Sequence, residues 1–383
     1  MRPEDPLTPW VSIGMPLYNA ERYLAQTLES ILNQTLADFE LVISDNGSSD
    51  QTEQICRAYA AKDERIRYHR EDVNRGAAWN HNRVFALSRG EYFKWASYDD
   101  LLGPEFLERC VAVLDQNPAV VSCCTTFMDI DDFGNPLKNK SSGASKARKS
   151  HQRLRALINK RHSCEEIYGV MRASILRKTP LIAPYVASDQ NLLAELALYG
   201  EFHEVPEVLF FHRWHSKSTC QLWPSPANRS AWFDPRLAGR ITAPYWRQGA
   251  EYVRSLHRVR LGWKQRMKCY RQILWWLEDC RGELYWEGRQ YLIDWVKVKM
   301  PWVRITCRAM RLADRGKNHS KFQHQPKRGT KQPLRATFPQ PVRGSYMRFG
   351  VPIGTRYRGD GHLPDSHSSL AGPHRKEGNS DDA

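Results

Sequence analysis

The sequence lacks a covalent or metal framework. Its nine cysteines contain no Cys-x-x-Cys pair. An odd, unpatterned set in a 383-residue chain argues against a disulfide scaffold or a zinc ribbon and for a reducing compartment. No apolar run approaches the ~20 residues that a membrane-spanning helix needs. The amino terminus, Met1-Arg2-Pro3-Glu4-Asp5-Pro6, has no apolar core of the secretory type. No Gly-x-x-x-x-Gly-Lys-Ser/Thr loop is present, and no Gly-x-Gly-x-x-Gly follows the first strand-like segment, which weakens kinase, ATPase and dehydrogenase readings. A Gly-x-Ser-x-Gly elbow is missing too, which weakens a serine hydrolase. No internal repeat is visible. The expected location is cytoplasmic, with peripheral contact at the inner face of a membrane left open.

What is present is a large apolar fraction and an excess of positive charge. Hydrophobic residues make up 41% of the chain, and the formal net charge is +15. The first figure allows a sizeable core in one large domain or two ordinary ones. The second suits an anionic partner, whether nucleotide, membrane surface or nucleic acid.

Strand-like and helix-like segments alternate over the first 130 residues. Strands are expected at Trp10 to Met15, stopped by Pro16, and at Phe39 to Ser44, Ile66 to His69, Glu91 to Ala96 and Val120 to Cys124. Between the first two, Tyr23, Leu24, Thr27, Leu28, Ile31 and Leu32 recur at helical spacing. Pro104 opens a helix through about Gln116. This rhythm predicts an α/β fold with a mostly parallel sheet covered by helices on both faces. Residues from about Asn135 to Lys160 are polar and basic and read as a mobile loop, either a solvated insertion or an acceptor-side element. Order returns at Ile167 to Val170, followed by a helix from Asp189 to Tyr199 and a strand at Val208 to His212.

Ligands of open α/β sheets bind beyond the carboxyl ends of the strands. Four turn-prone polar clusters stand there: Pro16-Leu17-Tyr18-Asn19, Asp45-Asn46-Gly47-Ser48, Asn74-Arg75-Gly76 and Ser97-Tyr98-Asp99-Asp100. Adjacent carboxylates such as Asp99 and Asp100 suit Mg2+ or Mn2+ beside a substrate phosphate, or they cap the helix at Pro104. Asp45 either accepts hydrogen bonds from a base or ribose or forms an Asx turn. Arg75 and the Gly76 backbone either meet phosphate or form an ordinary turn.

The segment Val11 to Asn19, the helix ending Ser30-Ile31-Leu32-Asn33-Gln34-Thr35, the run Phe39 to Asp50 and the block Asn74-Arg75-Gly76 through Trp79, Asn80 and Asn82 together resemble the family 2 inverting glycosyltransferases of the GT-A fold. The resemblance spans roughly residues 10–220. Two positions depart from the family pattern: Asn46 stands where a second Asp is usual, and Ser97 stands where the first Asp of an Asp-x-Asp motif falls. The resemblance implies donor contacts from Pro16, Tyr18, Asp45, Asn46, Arg75, Gly76, Asn80, Tyr98, Asp99 and Arg213. It implies Mg2+ or Mn2+ held by Asp99, Asp100 and His215, with Arg213 or Lys217 at the diphosphate. The Ser188-Asp189-Gln190-Asn191-Leu192 stretch then makes Asp189 the general base, unless it only caps its helix. The partners implied are a nucleotide-sugar donor, UDP-sugars being the commonest, and a glycan, lipid-linked or cell-envelope acceptor.

The implied organisation is a GT-A catalytic domain over 1–240, a Trp/Arg-rich helical extension over 241–310 and a disordered basic tail over 311–383. The extension is read either as amphipathic helices on an anionic membrane or as an appendage packing on the catalytic domain. Competing readings are a catalytically weak nucleotide-sugar-binding protein, a nucleotidyltransferase, and a nucleic-acid- or membrane-binding protein acting through the basic C-terminal third. Nucleic acid is the less favoured partner, because it leaves the four strand-end clusters unexplained.

Overall fold

The computed structural model describes residues 8–141, 147–159, 162–215, 226–238 and 242–299. The tail expected at 311–383, the end of the 241–310 extension and Lys217 lie outside them.

Strands β1 (Val11–Leu17) and β2 (Phe39–Asp45) are buried on both faces. They therefore read as near-continuous apolar runs rather than alternating ones. With β3 (Ile66–Arg70), β4 (Tyr92–Trp95), β5 (Leu101–Leu102), β6 (Val120–Ile130), β7 (Pro136–Lys140), β8 (Val170–Arg172) and β9 (Glu201–Arg213) they form one nine-stranded sheet. Its order is β3-β2-β1-β4-β8-β6-β9-β5, with β7 paired to β6.

The sheet is mixed: its long pairings are parallel, as expected, and its short strands add antiparallel ones. β3, β2, β1 and β4 are parallel neighbours, joined by the crossover helices α1 (Leu24–Leu32), α2 (Thr52–Ala60) and α3 (Ala77–Ala86). β6 and β9 are also parallel. The short strands β8, β5 and β7 run against their neighbours. Antiparallel neighbours need no crossover helix, and strands of two, three and five residues are too short for periodicity to register.

Pro16 does not end β1, which continues to Leu17 in register with β2. On the β4 side, the carbonyls of Trp10 and Gly14 accept from Tyr92 and Ala96. Pro16, two residues beyond Gly14, presents its missing N–H to that same side, where β4 has already ended at Trp95. A strand tolerates proline where no ladder partner is left unpaired.

Helices cover both faces. Leu24, Leu28 and Ile31 of α1 and Leu107, Cys110 and Leu114 of α4 (Phe106–Gln116) pack on one face. Gln34 couples these helices by donating to the Gly103 carbonyl (2.8 Å) and accepting from the Leu107 N–H (3.0 Å). Val84 and Phe85 of α3 and Leu192, Leu193 and Leu196 of α7 (Ser188–Tyr199) pack on the other face.

The stretch read as a mobile loop is largely ordered. Pro136–Lys140 is the edge strand β7, and Ser150–Leu157 forms helix α5. Arg153 of α5 is buried, and its Nε donates to the Ala197 carbonyl at 2.9 Å. The polar composition concealed this helix, because the few apolar residues it buries, Leu154 and Leu157, stand among polar and basic ones. A short α6 (Ala173–Leu176) follows β8.

Beyond α8 (Pro226–Phe233), three helices follow among the described residues: α9 (Pro244–Arg258), α10 (Trp263–Asp279) and α11 (Arg281–Lys299). Tyr252 and Leu256 of α9 and Ile273 and Trp276 of α10 share a core with Leu154 and Ile158 of the α5 region and Ala194 and Leu198 of α7. Arg258 donates to the buried Glu195 carboxylate at 3.0 Å. One side of the extension therefore packs on the sheet-bearing domain. No described helix is long and apolar enough to cross a membrane.

Candidate active site

The ends of β1 and β2 are tied into one rigid edge. The Asn46 N–H donates to the Leu17 carbonyl, Asn19 N–H to Ser48 Oγ (2.9 Å), and Ala20 N–H to Thr52 Oγ1 (2.7 Å). Asp45 is fully buried. Its Oδ1 accepts from the Ser48 N–H at 2.9 Å, and its Oδ2 accepts from the Tyr68 hydroxyl at 2.8 Å. Oδ1 thus closes the turn after β2, and Oδ2 ties that turn to β3. Asn80 is buried as well and braces the same edge by donating to the Leu17 and Ser44 carbonyls. Tyr18 stands half-exposed at the β1 end.

Asn46 shows why an amide occupies this position. Its Oδ1 accepts from the Arg75 N–H (2.9 Å), which fixes Nδ2 as the donor to Asn74 Oδ1 (2.9 Å) and the Gly76 carbonyl (3.3 Å). Asn74 Oδ1 is in turn pinned as an acceptor by the Gly76 N–H at 2.8 Å. A carboxylate here could only accept, and it would face two oxygens. Asn46→Asp is therefore predicted to destabilise the fold by about 1–3 kcal/mol, the usual cost of stranding buried hydrogen-bonding groups. Chemical denaturation measures this, and unchanged stability would refute the brace. Gly76, at φ +93°, lies against the Phe233 carbonyl, which an added Cβ would meet at 2.5 Å. Arg75 pairs with Glu71 at 2.9 Å and lies over the Trp79 ring.

The second cluster forms where β4 and β9 end. Asp99 Oδ2 lies 2.8 Å from His215 Nε2, and Asp99 Oδ1 accepts from the Ser97 hydroxyl. Ser97, in the place of a family acid, thus orients the carboxylate that remains. Thr27 Oγ1 reaches the Tyr98 and Asp100 carbonyls at 2.7 and 2.9 Å, tying the loop to α1. Tyr98 is partly buried against that helix layer.

Arg213 is buried, and its guanidinium donates to the carbonyls of Asp99, Asp131 and Asp132 and to Gln26 Oε1. It lies over the Tyr23 ring. These contacts occupy the group expected at the diphosphate; in this arrangement Arg213 holds the acidic loop in place instead. The Arg213 backbone N–H donates to Asp100 Oδ1 at 3.0 Å. Burial raises the Asp100 pKa to about 6, with His212 opposing and Asp99 adding to the rise. Asp100 is therefore turned into the wall, and Asp99 with His215 is the pair best set to meet a cation. Burial disfavours charge on His212, but Asp100, Asp129, Glu165 and Asp99 outweigh it and raise its pKa to about 10.

Asp99, Asp100, Asp189, Glu165, His212 and Arg213 all line one cavity of about 160 Å³, with Trp95, Trp214 and Trp232 among its aromatic walls. Asp189 stands in the first turn of α7, just after Ala187, a non-glycine residue at φ +68°. Such a conformation costs roughly 1 kcal/mol or more and persists only where the surroundings impose it. The Asp189 carboxylate is buried, and its Oδ1 has no hydrogen-bond partner among the described residues. Burial raises its pKa to about 6, against the backbone N–H groups of Gln190 and Asp189 and the nearby His162, which lower it.

The sequence pattern pointed to Asp99, Asp100, Asp189 and Arg213, and the structure brings all four to this cavity. It places Arg75 elsewhere, in a cavity of about 650 Å³ with Trp79, Asp234 and Arg236. Sequence reasoning missed Glu165, Trp95 and Trp232 at the first cavity. Glu165 lies on a single 3-10 turn, which carries no periodic signal.

Among the described residues, no three His, Cys, Asp or Glu side chains converge as a metal site. Asp99 lines the cavity, and His215, buried beside it, sets its Nε2 2.8 Å from Asp99 Oδ2, so the pair offers one carboxylate oxygen and one imidazole nitrogen. That fits Mg2+ or Mn2+ in a site completed by substrate phosphate and water, which is the usual arrangement for Mg2+.

Comparisons with known proteins bear on the family and the fold. Residues 12–179 match the family described as Glycosyl transferase family 2. The chain is 35% identical over 131 residues to the chondroitin synthase of Escherichia coli, covering 34% of this chain and 19% of that protein. It is 31% identical over 111 residues to the glycosyltransferase GlyG of Streptococcus pneumoniae, covering 29% of this chain and 37% of that one. The matched segment thus spans less than two thirds of either relative. Among solved structures, S. aureus TarS 1–349 in complex with UDP superposes with a TM-score of 0.50 at 16% identity, covering 67% of this chain and 68% of that one. Residues 12–179 are therefore a family 2 glycosyltransferase domain, set in a fold of the GT-A type.

Proposed function

We propose that this chain transfers a sugar from a nucleoside-diphosphate sugar to an acceptor hydroxyl, with inversion at the anomeric carbon. The observation that carries the reading is the meeting of Asp99 and Asp189 at one cavity. These residues come from the end of the parallel sheet and from the first turn of α7, 90 positions apart in the chain.

Asp189 Oδ1, unpartnered and ionised above about pH 6, accepts the acceptor hydroxyl's proton. The acceptor oxygen bonds to the anomeric carbon as the bond to the diphosphate breaks. The electron pair leaves with the nucleoside diphosphate, and attack opposite the leaving group inverts the configuration. Asp99 and His215 would hold Mg2+ or Mn2+, which supplies positive charge where the leaving diphosphate becomes more negative. Asp45, Asn46, Asn80 and Arg213 act as positioning residues that keep the two loops rigid, while Pro16, Tyr18, Arg75 and Gly76 are left to frame the nucleotide. A UDP-sugar is the first donor to test, since the superposed TarS structure holds UDP. The acceptor is a glycan or a lipid-linked sugar. The reducing side of a membrane suits the seven buried free thiols among the described residues.

A screen of UDP-, dTDP- and GDP-sugars tests the reading, with thermal stabilisation and nucleotide release measured with and without Mn2+. The expected outcome is stabilisation and slow metal-dependent hydrolysis by one nucleotide class. Failure of every nucleotide to stabilise the protein, with or without Mn2+, would overturn it.

A further inference from the structure

The side of α10 turned away from the domain carries an organised surface. Cys269, Ile273 and Trp276 point inward and are buried. On the outward side, Trp263, Met267 and Leu274 are 73%, 58% and 64% exposed. At ~100° per residue these three fall within about 40° of one another, so they form a single apolar stripe. Lys264, Lys268 and Arg271 are exposed too, and the same spacing sets them roughly 60–120° from the centre of that stripe, on one side of it.

From Arg260 to Arg271 the chain has five cationic side chains and no acidic one. No carboxylate pairs with Lys264, Lys268 or Arg271 among the described residues; Lys264 lies only over the neighbouring Trp263 ring, at 5.7 Å. Elsewhere in the protein, basic side chains are commonly ion-paired, as Arg258 is with Glu195 and Arg67 with Glu40. A solvent-facing helix gains nothing in water from three large exposed apolar side chains on one line. An anionic bilayer surface would bury that line and meet the unpaired cations beside it.

We propose that the outward face of α10 docks the protein on an anionic lipid surface. Trp263, Met267 and Leu274 enter the headgroup–acyl boundary, and Lys264, Lys268 and Arg271 meet lipid phosphates. Charge complementarity selects lipid over a second copy of this chain, because two such faces would oppose their cations. The inference is independent of the catalytic reading, since no residue of the candidate active site takes part.

The test is co-sedimentation of the full chain with vesicles of phosphatidylcholine alone and of phosphatidylcholine mixed with phosphatidylglycerol, at low and high salt. The wild type is expected to bind the mixed vesicles only and to be released by salt. Near an anionic surface each cation contributes about 1 kcal/mol, or roughly fivefold in partitioning. Replacing Lys264, Lys268 and Arg271 together with Gln should therefore weaken binding on the order of a hundredfold. A second variant, Trp263→Ser with Met267→Ser and Leu274→Ser, should lose binding while keeping its cations. Both sets lie on the exposed face, so thermal unfolding should match the wild type. No vesicle binding by a folded wild type, or binding unchanged in both variants, would overturn the proposal. So would concentration-dependent self-association in the absence of lipid that the Ser variant abolishes, since the face would then join two copies.

Discussion

Asp189→Asn is expected to lower sugar transfer by roughly 10²–10⁴-fold, the usual contribution of a positioned general base, while leaving nucleotide affinity near that of the wild type. The substitution keeps the shape and the first-turn position and removes only the ability to take a proton. Asp189 lines the cavity and one of its buried carboxylate oxygens has no hydrogen-bond partner among the described residues, so the amide leaves no donor of a described residue unpaired at that oxygen. The pH dependence follows from the same burial. Because the pKa is raised to about 6, the base is protonated and idle below that pH. The rate of transfer, as kcat/KM, should rise about tenfold per pH unit up to about 6 and then level off. The neighbouring acids Asp100 and Glu165 share the cavity, so the limb belongs to the group as a whole. The Asn variant should lose or displace it. A variant with wild-type transfer and an unchanged pH limb would remove Asp189 from the mechanism.

Asp99→Asn is expected to abolish metal-dependent transfer, by a factor on the order of 10²–10³ if the lost charge stabilisation resembles that of other electrostatic sites. On the proposed reading, a carboxylate–imidazole pair would be the contribution of the described residues, because Ser97 and Asp100 bond to other partners. Two ligands hold a hard cation weakly without substrate phosphates. Titration calorimetry should therefore show Mn2+ binding tightly only once the nucleoside diphosphate is present. The His215→Ala protein should share the defect and be partly rescued by higher Mn2+. Tight Mn2+ binding to the nucleotide-free protein, or full activity of Asp99→Asn in chelator, would refute the assignment.

These two residues also divide what was legible in the sequence from what was not. β1, β2 and the crossover helices were readable because buried parallel strands are continuous apolar runs and their helices carry a regular stripe. The clusters at Asp45, Asn74 and Asp99 were readable because ligands gather beyond strand ends. β7 and α5 were not, because β7 is a short polar edge strand paired to β6 and the two leucines that α5 buries, Leu154 and Leu157, stand among polar and basic residues. For the same reason Glu165 and Trp232 entered the cavity unannounced.

By itself, the sequence determined that an α/β sheet with four polar strand ends would form, and which acids stand on them. Those are local matters of hydrophobic period and turn chemistry. Only the tertiary structure decided how each polar group is used. It engages Asp45, Asn46 and Arg213 in holding loops, buries Asp189 beside the cavity with one oxygen unpartnered among the described residues, and pairs Asp99 with His215, 116 residues along the chain. Whether a carboxylate is a brace, a ligand or a base depends on which donors lie within about 3 Å of it and how much water it has lost, and long-range packing sets both.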